Sequence, residues 1–109
     1  MVDKHYKRYT NRTQYTITCC LLNGTPVWQF NDEDILGRPH GITVDEKGNL
    51  YVVGERTSNT VVISTNGQFQ KQILTKEDGL NTPSAVCFDE PKKKLFVANL
   101  EDGMAYIFS

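Results

Sequence analysis

Residues 38–54, reading Arg-Pro-His-Gly-Ile-Thr-Val-Asp-Glu-Lys-Gly-Asn-Leu-Tyr-Val-Val-Gly, constrain the fold most, because the pattern returns in residues 82–99. Pro39 and Pro83, Gly41 and Ala85, Ile42 and Val86, Val44 and Phe88, and Asp45 and Asp89 each stand 44 residues apart. Identities change between the copies, but the order of apolar and turn residues does not. Self-similarity at this period, made of short apolar runs between Gly, Asn and Pro, implies stacked units rather than one undivided core.

Within one period the pattern predicts four strands, at residues 41–45, 50–53, 60–64 and 69–74. Tyr51-Val52-Val53 and Val61-Val62-Ile63 are unbroken apolar runs, so both faces of these strands should be covered. Four-stranded units stacked face on face around an axis are the blades of a β-propeller. The hairpin signal Asn66-Gly67 has its own echo 43 residues earlier, in Asn23-Gly24. Upstream, residues 15–22 are apolar and β-branched, residues 26–30 carry the only tryptophan, and Tyr9-Thr10-Asn11 precedes Val97-Ala98-Asn99 by 88 residues.

Downstream, strands are expected at 84–89, 94–99 and 104–108, with Ile107 and Phe108 aligned to Ile63 and Ser64. Glu90-Pro91-Lys92-Lys93 reads as a lengthened turn. The expected fold is therefore all-β, a partial β-propeller of about two and a half four-stranded antiparallel blades. Residues 1–34 end one blade, 38–75 form a complete blade, and 82–109 supply three strands of the next. So few blades cannot close a ring, so the missing ones come from a longer chain or from self-association. The terminal blades should then present apolar surface and unpaired edges.

Twelve basic and 13 acidic residues leave a net charge of -1, too little for a general attraction to polyanions. Cys19, Cys20 and Cys87 are an odd set, and two of them are neighbours that a strand would point to opposite faces. Neither a disulfide framework nor a zinc site with His5 or His40 follows, so free thiols in a reducing, cytoplasmic setting are expected. No apolar run is long enough to cross a bilayer as a helix, and no membrane role is expected.

The run Pro39-His40-Gly41-Ile42-Thr43-Val44-Asp45, followed by Gly48-Asn49-Leu50-Tyr51-Val52-Val53, resembles the NHL repeat. Ile17-Thr18-Cys19-Cys20-Leu21, Trp28-Gln29-Phe30 and Ala105-Tyr106-Ile107-Phe108 look like the C-terminal propeller of invertebrate tripartite-motif proteins. Ala85 departs from that pattern, where a glycine is usual, as do the bulkier Cys87 and Phe88. The resemblance implies NHL-type blades and a last blade completed by a strand from the start of the propeller. It also implies a recognition module that selects a protein or RNA for an attached ubiquitin ligase, without ligase residues of its own.

In such blades, the loops between blades and those between second and third strands emerge on one face. That face collects Arg12, Arg38, His40 and Arg56, the candidate binding residues, together with Lys76. It also collects Asp32, Glu33, Asp34, Glu55, Glu77, Asp78, Glu101 and Asp102, so its net charge does not suit a polyphosphate. A protein partner is the first expectation, RNA on the arginines the second, and a propeller hydrolase or lyase with a channel metal the third. His40 has no nucleophile beside it in sequence. Asp45 and Asp89 should hold the turns that follow them rather than a metal ion. The residues imply neither a cofactor nor a metal.

Overall fold

The computed structural model describes residues 6–11, 16–100 and 103–108, which form three antiparallel sheets. The first contains β1 (Tyr6–Asn11), β2 (Thr16–Leu21) and β3 (Pro26–Phe30). The second contains β4 (Pro39–Val44), β5 (Leu50–Gly54), β6 (Asn59–Ile63) and β7 (Gln70–Leu74). The third contains β8 (Pro83–Asp89), β9 (Lys94–Asn99) and β10 (Ala105–Phe108). Among the described residues the sole helical element is one 3-10 turn at Lys76–Asp78, capped by Thr75.

The unbroken apolar runs are explained by the two interfaces that the middle sheet makes. Leu50, Val52, Val61 and Ile63 join Ile17, Leu36 and Val44 in a core shared with the first sheet. Val53 and Leu74 join Leu80, Leu95 and Val97 in a second core shared with the third sheet. Alternate residues of β5 thus serve opposite cores, as the two-residue period of a strand demands. β4 and β8 run side by side, Phe88 N–H donating to the Thr43 hydroxyl at 3.3 Å, which sets neighbouring inner strands around a common axis. This is an all-β, partial β-propeller.

The turn after β4 shows how the repeat holds itself. Asp45 Oδ1 accepts from the backbone of Lys47 at 2.9 Å and of Asn49 at 3.0 Å, while Oδ2 accepts from the Tyr51 hydroxyl at 3.0 Å. Asp89 makes a weaker version, accepting from Lys92 N–H at 3.3 Å. The Tyr51 ring also stacks on Phe88 of the next sheet, with centroids 6.0 Å apart. Burial, and then the bond to Asp45, push the Tyr51 hydroxyl up to about 12.

A tyrosine whose folded pKa is raised stabilises fully below its unfolded value near 10, and that stability is lost as pH rises from there towards 12. In an ultraviolet titration, Tyr51 should ionise in a phase near the top of the range, and Tyr51→Phe should remove that phase. If the wild-type curve shows no such phase, Tyr51 is not both buried and bonded to Asp45 in solution.

One sequence alignment is corrected. Leu50 faces Val44 and Ile63, whereas Leu95 faces Phe88 and Phe108. Phe108 therefore takes the place of Ile63 and Ile107 that of Val62, one residue away from the match of Ile107 and Phe108 to Ile63 and Ser64. The extra residue in the Glu90–Lys93 turn, where Lys93 adopts φ 55, carries the shift into both following strands. A one-residue slip exchanges the faces of a strand, which is why Ile107 points outward.

The exposed large apolar side chains lie mostly on the outer sheets, Phe69 on the β6–β7 hairpin of the middle sheet being the exception. Tyr9, Leu21, Leu22 and Val27 lie on or beside the first sheet, and Leu100, Met104, Ile107 and Phe108 on or beside the third. By contrast, the edge strand β7 of the middle sheet exposes Gln70, Lys71 and Gln72. Polar residues of this kind discourage a further strand from adding to an edge.

Candidate binding face

The loop before β4 and the loop between β5 and β6 meet on one face and are tied through the backbone. Glu55 N–H donates to the Arg38 carbonyl and Arg56 N–H to the Gly37 carbonyl, both at 3.0 Å. Arg38 has φ 57, and Thr82, which stands 44 residues later, has φ 51. The left-handed residue before each inner strand is therefore part of the repeat geometry and not a peculiarity of a site.

Three of the four predicted binding residues come together here. His40 Nδ1 lies 2.8 Å from Glu55 Oε2, and Arg38 Nε lies 3.6 Å from Glu55 Oε1. Arg56 donates to the Glu33 carbonyl at 2.7 Å, and its guanidinium lies against Gly37 so closely that a Cβ there would come within 2.6 Å of it. Only glycine permits that approach. Arg12 lies outside the described residues.

Glu55 is the residue that sequence reasoning grouped with the acids of the face but did not assign to the site. Its side chain is only 17% exposed, while that of Arg38 is 54% exposed. The only available signal was its place immediately after β5, which by the repeat faces the start of β4. The intended basic spot is thus a mixed array in which one carboxylate serves an arginine and a histidine. Isolated surface pairs of this kind contribute about 0–1 kcal/mol, so they orient the side chains more than they stabilise the fold.

Beneath the face lies a buried polar anchor that the sequence reading did not single out. Asn59, 2% exposed, donates from Nδ2 to the Ile35 carbonyl and to Gln72 Oε1, and its Oδ1 accepts from the Thr57 hydroxyl, each at 2.6 Å. The Thr57 hydroxyl accepts from Gly37 N–H at 3.1 Å. The loop carrying Arg38 is therefore fastened at both ends. Among the described residues no three His, Cys, Asp or Glu side chains gather in a way that could hold a metal ion. Cys19 and Cys20 are buried free thiols and Cys87 an exposed one. No described helix is long and apolar enough to cross a membrane.

The fold and face define a propeller-repeat module, and comparison with known proteins agrees. Residues 32–60 match the family described as Beta-propeller repeat. The chain is 23% identical over 96 residues to the E3 ubiquitin-protein ligase TRIM56 of Mus musculus, a match covering 87% of this chain and 13% of the ligase. In structure, it resembles a catalytically inactive virginiamycin B lyase from Staphylococcus aureus, crystallised with quinupristin, at a TM-score of 0.67 and 12% identity. That likeness covers all of this chain and 43% of the lyase. The chain thus spans about an eighth of the ligase and under half of the lyase.

Proposed function

We propose that this chain is part of a non-catalytic, NHL-type recognition propeller in a cytoplasmic protein associated with a ubiquitin ligase, and that the Arg38–His40–Arg56 face binds a protein partner. The carrying observation is the pairing within that face: Glu55 engages both His40 and Arg38, and Arg56 is held by the Glu33 carbonyl. A surface whose cations are interleaved with acids matches a partner of mixed charge better than a run of phosphates. The similarity to the mouse ligase supports the setting, and its propeller-repeat character supports the role.

RNA is the second reading, favoured by the exposure of Arg38 at the edge of the array. A photo-crosslinker placed at position 34, exposed in the loop that precedes Arg38, in the protein expressed in cells separates the two. Recovery of a discrete protein adduct that disappears in the Arg38→Glu, Arg56→Glu double variant is the expected result. Predominant RNA adducts, with affinity falling by orders of magnitude between low and moderate salt, would replace the protein reading with the RNA one.

A further inference from the structure

We propose that the recess beside Trp28, away from the arginine face, binds the pyranose ring of a neutral carbohydrate. The recess has a volume of about 480 Å³ and is lined by Val27, Trp28, Asn49, Ser64, Thr65 and Asn66. It lies where β3 of the first sheet meets the β6–β7 hairpin of the second. None of its lining residues is charged, so it offers no counter-charge to a phosphate, carboxylate or ammonium group. It offers instead one aromatic body, one exposed aliphatic side chain and two amides, while the Ser64 and Thr65 hydroxyls already donate to Asn66 and to the Lys47 carbonyl. A sugar ring has the matching halves, an apolar C–H face for the indole and a rim of hydroxyls for the amides.

The polar groups are oriented in advance. Asn66 Oδ1 accepts from Gln68 N–H at 3.0 Å and from the Ser64 hydroxyl at 2.7 Å, so its amide NH2 is the end left over, with no partner among the described residues. Asn49 is held the opposite way, its Nδ2 donating to Asp45 Oδ2 at 3.2 Å, which leaves its carbonyl oxygen over. One fixed donor and one fixed acceptor therefore stand in the lining. Trp28 is fixed too: its Nε1–H donates to the Thr65 carbonyl at 2.9 Å, and its ring lies against Gly67, whose φ of 75 and missing Cβ make room for it. Groups that are already ordered lose little freedom on binding.

Trp28 is the only tryptophan, so fluorescence excited selectively at tryptophan, beyond the absorption of the five tyrosines, reports on this recess. The test is a titration of the chain with cellobiose, mannobiose and N,N'-diacetylchitobiose. A saturable change with a Kd in the range of about 0.1–10 mM is expected for at least one of them. Asn66→Asp keeps both accepting bonds of the turn but loses the NH2 donor, and should weaken binding at least about tenfold with the circular-dichroism melt unchanged. Should that variant unfold, Val27→Arg, at an exposed position on an edge strand, fills the recess and should abolish the response.

A free sugar and a protein-borne glycan share this chemistry. A second arm therefore measures binding to a high-mannose glycoprotein before and after enzymatic removal of its glycans, where loss on removal shows that the glycan is the ligand. No response to any sugar and no glycan-dependent binding would overturn the proposal. So would a sugar response that both variants leave intact.

Discussion

Val52→Asp should leave the chain unfolded. Val52 is fully buried on β5, between β4 and β6, in the core that joins the first and second sheets. An aspartate there has no cation among its core neighbours, all of which are apolar. A buried, unpaired carboxylate costs several kcal/mol, a large share of the 5–15 kcal/mol that stabilises a typical domain. Arg56→Ala is the matching control. It loses a hydrogen bond on an exposed loop, and its cost should stay within about 1 kcal/mol. Circular-dichroism melts of both variants decide the matter, and equal losses would mean that β5 is not the covered strand.

Asn59→Ala should have the second-largest effect. It takes the Asn59 Nδ2 donor from the Ile35 carbonyl and leaves the Thr57 hydroxyl without its Asn59 acceptor, both beneath the candidate face. Losing buried hydrogen bonds of this kind costs about 2–3 kcal/mol, or roughly 10 °C in Tm for a chain of this size. Gln72→Ala removes the third partner of Asn59 from an exposed strand, where water can replace it, and should cost less than about 1 kcal/mol. Loosening of the loop that carries Arg38 should accompany the Asn59 change, seen as faster amide exchange at Gly37 and Arg56. Protected amides at both positions in Asn59→Ala would show that the backbone ties between the loops suffice by themselves.

The strands were legible because each is short, apolar and bounded by turn residues that recur. β3 and β9 span the residues expected of them, β5, β7, β8 and β10 differ from expectation by one residue at one end, and β6 is displaced by one residue at both ends. The register of the third sheet was not legible to the same degree. A fixed period assumes turns of constant length, and the extra residue near Lys93 is absorbed only when Phe88 pairs with Leu95. Sequence comparison then matched Phe108 to Ser64, whereas hydrogen bonding matches it to Ile63.

The candidate face was legible as a collection of loops but not as a set of bonds. That Arg38, His40 and Arg56 share a face follows from the order of strands in a blade. That Glu55 reaches two of them, and that Arg56 lies flat on Gly37, depends on side chains 15 to 20 positions apart meeting across a loop crossing. Trp28 shows the same division. Its place on a strand was legible, yet its partner, the Thr65 carbonyl 37 residues away, appears only when two sheets stack.

What the sequence by itself determined is the repeat, and with it the strands, their covered faces and the all-β propeller architecture, because alternation and turn chemistry are local properties written every 44 residues. What only the tertiary structure decided is which side chains meet: the Glu55 array, the Asn59 anchor, the Trp28 recess and the shifted register of the third sheet. Those contacts depend on the stacking of one sheet on the next, which brings together residues that no local pattern pairs.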